Sequence, residues 1–122
     1  MDIRNVNKVE RSPVRMDGAD RASMAVLVGR EHGAPNFAMR VIHVEAGGHT
    51  PRHSHDYEHE VLVLGGSGRV LLHGQEHALT KGDVLLVPSD VEHQFRASEG
   101  EPLEFICLVP ASRNCGEPTP GS

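Results

Sequence analysis

Four histidines in this chain stand at metal-ligand spacing: His53, His55 and His59 in one short segment, and His93 about one hairpin further on. Imidazole is the commonest protein ligand for divalent transition metals. Only Ser54 separates His53 from His55, and residues two apart on a strand point to one face. The two can therefore chelate one ion from one strand. Asp56, Tyr57 and Glu58 leave room for a turn or bulge before His59 starts the run into Val61 and Val63. Alternation puts His59 on the inward face with those valines and turns Glu60, Leu62 and Leu64 to the other. His93 follows a Pro88-Ser89-Asp90 turn, and Phe95 shares its face. A sealed four-ligand tetrahedral site is structural zinc. Four protein ligands on an octahedral ion instead leave two open positions, which suit a reaction.

Strands and turns must position these side chains. The apolar segments are short: Met24–Val28, Phe37–Val44, Val61–Leu64, Val70–Leu72, Val84–Val87 and Leu103–Val109. No long stretch repeats at helical period. Short β-branched-rich runs with turn signals between them predict an all-β sandwich or barrel. Four glycine-containing turns are expected, at Ala46-Gly47-Gly48, Gly65-Gly66-Ser67-Gly68, His73-Gly74-Gln75 and Thr80-Lys81-Gly82-Asp83, since glycine tolerates positive φ. Val61–Leu64 and Val84–Val87 read as apolar on both faces, like strands inside a sandwich. The chain divides into an N-terminal arm (1–20) with one edge strand, a single barrel domain (21–110) and a disordered tail (111–122).

Composition narrows the function classes. The 122 residues carry a formal net charge of −5 and no basic cluster, which disfavours nucleic acid as a partner. The apolar runs span four or five residues, too short to cross a bilayer, and the first eight residues have no apolar signal core. Two cysteines, Cys107 and Cys115, are too few for a disulfide scaffold. They read as free thiols of a cytoplasmic protein. There is no G-x-S-x-G, phosphate-loop, H-E-x-x-H or dinucleotide motif. Of the other histidines, His43 alternates with Val41 and reads as core or pocket, while His32, His49, His73 and His77 lie beside turns and read as solvated.

With its two histidine segments in register, the chain resembles the cupin family. The first cupin motif, G-x5-H-x-H-x3/4-E-x6-G, is matched by Gly47, His53 and His55, and the second, G-x5-P-x-G-x2-H-x3-N, by Gly82, Pro88 and His93. Three positions depart from the pattern: His59 stands where the acidic ligand is expected, Asp90 replaces the internal glycine and Ala97 the final asparagine. The text around His59 resembles small single-domain cupins with a four-histidine manganese site. The resemblance implies a small antiparallel β-barrel, or jelly roll, holding one divalent ion through His53, His55, His59 and His93. Manganese comes first, with iron, nickel, copper, cobalt or zinc as alternatives. Four neutral imidazoles leave such a site at net +2, one unit above a three-His-plus-Glu site, and this favours an anionic or chelating small-molecule substrate.

Phe95, Phe105, Cys107, Arg40 and Tyr57 are the pocket candidates, with Glu58 beside Tyr57 at the mouth. The expected function is a metal-dependent oxygenase of the dioxygenase type, with a non-enzymatic sensor or carrier and a metal-assisted isomerase or lyase as rivals. The resemblance also implies a homodimer.

Overall fold

The structure is a computed structural model and describes residues 1–113. Eight strands follow in chain order: β1 (Ser12–Pro13), β2 (Asp20–Val28), β3 (Phe37–His49), β4 (His59–Leu72), β5 (Gln75–Thr80), β6 (Val84–Val87), β7 (His93–Ala97) and β8 (Leu103–Pro110). Every pairing is antiparallel. The expected all-β jelly-roll barrel is what forms. The first part of β3 pairs with β8 through Phe37–Val44, and its far end meets β7 at His49. The first part of β4 lies between β6 and β8, and its second part between β5 and β7. These two long strands thus pass from one side of the barrel to the other and close it.

Two of the four expected turns are not turns. Ala46-Gly47-Gly48 lies inside β3 and Gly65-Gly66-Ser67-Gly68 inside β4. The glycines let long strands bend and pack closely, a known use of glycine in strands. Gly66 has φ +77°, and a Cβ there would stand 1.7 Å from the Pro102 carbonyl oxygen. The pairing of β4 with β8 slips between Val63 and Gly65, where the strand changes neighbours. The turns at His73-Gly74 and Lys81-Gly82 form as expected, with Gly74 and Gly82 in left-handed backbone.

The barrel interior takes the inward residues of each strand. Val61, Val63, Val70, Val87, Phe95, Leu103, Phe105 and Cys107 are all buried in one cluster. The Phe95 and Phe105 rings stack with centroids 4.3 Å apart. The outer face is different. Val6 and Val9 of the arm pack over Ala25, Leu27 and Val41 and cover part of it. Arg11 adds an ion pair to Glu104 at 2.7 Å, which His43 also contacts at 3.1 Å. His43 therefore sits on the outer face beside an acid, not in the pocket. Beyond the arm no described residue covers the sheet, and this corrects the expectation of strands buried on both faces. Leu62 is 41% exposed, Leu86 51% and Val84 73%, because no second layer lies over them among the described residues. At the other end, Ala111–Arg113 forms a single 3-10 turn with Ala111 buried. Cys115 lies outside the described residues.

Candidate metal centre

Backbone pairing puts two of the histidines opposite each other. His53 and His93 form an isolated antiparallel bridge, with His53 N donating to His93 O at 3.1 Å and His93 N to His53 O at 2.9 Å. A second clamp lies one step along. The Thr50 backbone N donates to Phe95 O, the Phe95 N–H to Thr50 Oγ1, and Gln94 Nε2 to Thr50 O, each at 2.9 Å. Thr50 and Gln94 are both buried, and the sequence reading had not singled them out. Their signal is a polar side chain adjoining each histidine segment. Asp90 N donates to His55 O at 2.6 Å, tying the His93 turn to the His55 segment. Asp90 has φ +66°. That left-handed backbone explains the glycine of the cupin pattern, and Asp is among the few residues that tolerate it.

The ligand atoms of His53, His55 and His93 all lie within 4.8 Å of one another. Two nitrogens bound to one ion at about 2.1 Å each are at most about 4.2 Å apart, so these three need only a small inward adjustment. His59 is their neighbour. Its ring centroid is 5.0 Å from that of His55 and 5.1 Å from that of His93. It falls outside the tight trio, at the base of the cluster. Strand alternation acts as expected here: His59 is buried and Glu60 exposed.

Each deep histidine is held by its Nδ1. His93 Nδ1 lies 3.0 Å from Val91 O. A carbonyl only accepts, so Nδ1 carries the proton and Nε2 keeps its lone pair. His59 Nδ1 lies 3.1 Å from Cys107 Sγ, and its Nε2 is buried with no hydrogen bond among the described residues. A buried nitrogen with that vacancy fits a metal ligand. Burial, reinforced by the charges of Arg40 and the other three histidines, pushes the His59 pKa down from 6.5 to about 2. The ring is therefore neutral, as a ligand must be. The donor set is all nitrogen and suits a divalent transition ion.

The pocket candidates gather around this cluster. Phe95 is 6.4 Å from His93, ring centre to ring centre. Tyr57 stacks on His55 at 4.8 Å with 7° between the planes, and meets His59 edge-on at 5.4 Å. Arg40, Phe105 and Cys107 are fully buried on the inward face. Arg40 Nη2 donates to Cys107 Sγ at 3.4 Å. Burial pushes the Cys107 thiol up, with the Arg40 charge pulling against it.

Known proteins share this architecture. The curated protein 1-methylthio-D-xylulose 5-phosphate methylsulfurylase of Rhodospirillum rubrum is 34% identical over 76 residues, covering 62% of this chain and 49% of that protein. The chain thus spans about half the length of that relative. The structure of the polyketide cyclase RemF from Streptomyces resistomycificus superposes with a TM-score of 0.85 at 28% identity, covering 91% of this chain and 80% of that one. A cupin-2 domain protein of Rhodospirillum rubrum gives a TM-score of 0.78 at 26% identity, over 91% of this chain and 74% of that one. The family model described as "Cupin domain" matches residues 40–109. On that match, together with the barrel that brings the two histidine motifs to one place, the chain belongs to the cupin family.

Proposed function

We propose that this cupin is a metal-dependent enzyme acting on a small anionic or chelating substrate, with His53, His55, His59 and His93 as the ligands and manganese as the resident ion. The observation that carries the reading is the convergence of His53, His55 and His93 ligand atoms within 4.8 Å. The vacant buried Nε2 of His59 beside them supplies the fourth ligand. All-imidazole sites do not select one metal, so manganese rests on the resemblance to small four-histidine cupins. Bound there, a divalent ion supplies Lewis-acid polarisation of a substrate oxygen.

The chain's own groups set the rest of the chemistry. Four neutral imidazoles bring no negative charge, and Arg40 adds a buried positive one beside His59. The field favours a carboxylate or an enolate. His53 and His55 are half-buried at the mouth, whereas His59 and His93 are deep. Tyr57, stacked on His55, brings a phenol to the site that can hold or pass a proton. That group favours the isomerase, lyase or cyclase class, which needs an acid or base near the ion. Of the three similar proteins named above, one is called a polyketide cyclase and one a methylsulfurylase. The dioxygenase expectation uses the same ligands but gives Tyr57 no task. A binding module would hold the same ligand without turnover.

Elemental analysis of the purified protein tests the centre. One equivalent of transition metal is expected, lost in His59→Ala and kept in Glu60→Ala; the reverse pattern would sink the ligand assignment. A panel of small carbonyl-bearing acids, run with and without dioxygen, tests the class. Turnover that persists anaerobically is expected, and strict dependence on dioxygen would restore the dioxygenase.

A further inference from the structure

Register sets three buried side chains in a row. Cys107 on β8 stands opposite Arg40 on β3 and opposite Val61 on β4. His59 lies two residues before Val61 on the same face of β4, within diagonal reach of Cys107. Arg40, Cys107 and His59 are all fully buried. The sulfur is the centre of the row: His59 Nδ1 is 3.1 Å away on one side, and Arg40 Nη2 is 3.4 Å away on the other. A guanidinium can only donate, so the Arg40 contact makes Sγ an acceptor and fixes where its lone pairs are used.

We propose that Cys107, held by Arg40, is the positioning residue for His59, taking the Nδ1–H so that Nε2 is the nitrogen offered to the metal. The proposal rests on the metal-centre reading above and goes beyond it by giving the thiol and the arginine a task. His93 shows the same device built from a backbone carbonyl, with Nδ1 on Val91 O at 3.0 Å. Partners of this kind fix ring orientation, and losing one typically costs about 10–100-fold in metal affinity. His59 has particular need of one. It sits outside the tight trio, and the vacant Nε2 of a ring free to rotate would not face the cluster reliably. In most metal sites the partner is a carboxylate, a carbonyl or water. A sulfur here places no full negative charge beside the ion and leaves the site cationic.

The test is Mn(II) affinity of the full chain by calorimetry, with the visible spectrum of the Co(II) form as a second readout. The wild type is measured first; failure to bind one equivalent would overturn the metal-centre reading, and this proposal with it. Given wild-type binding, Cys107→Ala is expected to weaken Mn(II) about 10–100-fold and to change the Co(II) spectrum. Cys107→Ser keeps an acceptor and is expected to recover most of the affinity. Unchanged affinity and spectrum in Cys107→Ala would overturn the proposal, as would a Cys107→Ser variant that binds no better than Cys107→Ala. If Cys107→Ala does not fold, Cys107→Val, which fills the space but cannot accept, takes its place under the same criteria.

Discussion

His59 is the residue on which this site departs most from its family pattern, and burial explains how an imidazole works there. Its pKa is held down near 2 against 6.5 in an unfolded chain. The sign of the consequence follows from linkage. Above pH 6.5 neither state binds the proton, so His59 adds no slope. Below 6.5 the unfolded chain takes a proton that the folded chain refuses, so stability falls as pH drops, down to about 2. For the metal-free protein, urea midpoints between pH 7.5 and 5 should fall with pH, and His59→Gln should flatten that trend. Equal slopes in both proteins would remove His59 from the account. The inward direction of His59 was legible from alternation with Val61 and Val63, since pleat geometry is local. The contacts of His59 with Cys107 and of Arg40 with Cys107 were not legible. They join β3, β4 and β8 across long separations, and no local pattern encodes which residues face each other.

Among the elements, β4 does the most to shape the site. It begins at His59, bends at its glycines and pairs with four other strands. Sequence reasoning placed a turn at Gly65–Gly68 because glycine clusters usually mark turns. The structure uses the same freedom to bend a continuous strand. Gly66→Ala is therefore expected to destabilise the barrel. The left-handed backbone alone costs an alanine about 1–2 kcal/mol, and a Cβ 1.7 Å from Pro102 O adds a clash. A fall in the guanidinium midpoint checks this, with Gly74→Ala as a comparison: it has φ +74° but no neighbour within 4 Å. Equal losses in the two would show that close packing at Gly66 is not what matters. The His53–His93 bridge belongs to this scale as well. The two motifs were visible as separate segments, but only strand pairing shows that their backbones bond directly.

At the scale of the whole molecule, the barrel has an apolar face that the described residues leave bare. A groove of about 750 Å³ lies there, lined by Met39, Leu62, Leu86, Ile106 and Leu108 together with the carboxylates Glu58 and Glu60. It is on the opposite side of β4 from His59. The arm covers the adjoining part of the same face through Val6 and Val9. A second copy of the chain would supply an equally apolar face, and a two-fold axis would make the patch self-complementary. We therefore predict a homodimer through β8, β4 and β6. Sedimentation should give twice the chain mass for the wild type and one chain mass for Leu62→Glu or Leu86→Glu, with metal content unchanged. A monomeric wild type, or a dimer in both variants, would refute this surface.

Sequence alone determined the β class, the candidate ligands and their face. Each depends on spacing along one strand, and side-chain direction repeats every two residues. Tertiary structure decided how the ligands group: three within 4.8 Å and a fourth beside them. It also decided which glycines bend and which turn, and that no described residue covers the outer faces of β4 and β6. Those outcomes depend on which strands become neighbours and what covers them, a property of the closed barrel that no single segment contains.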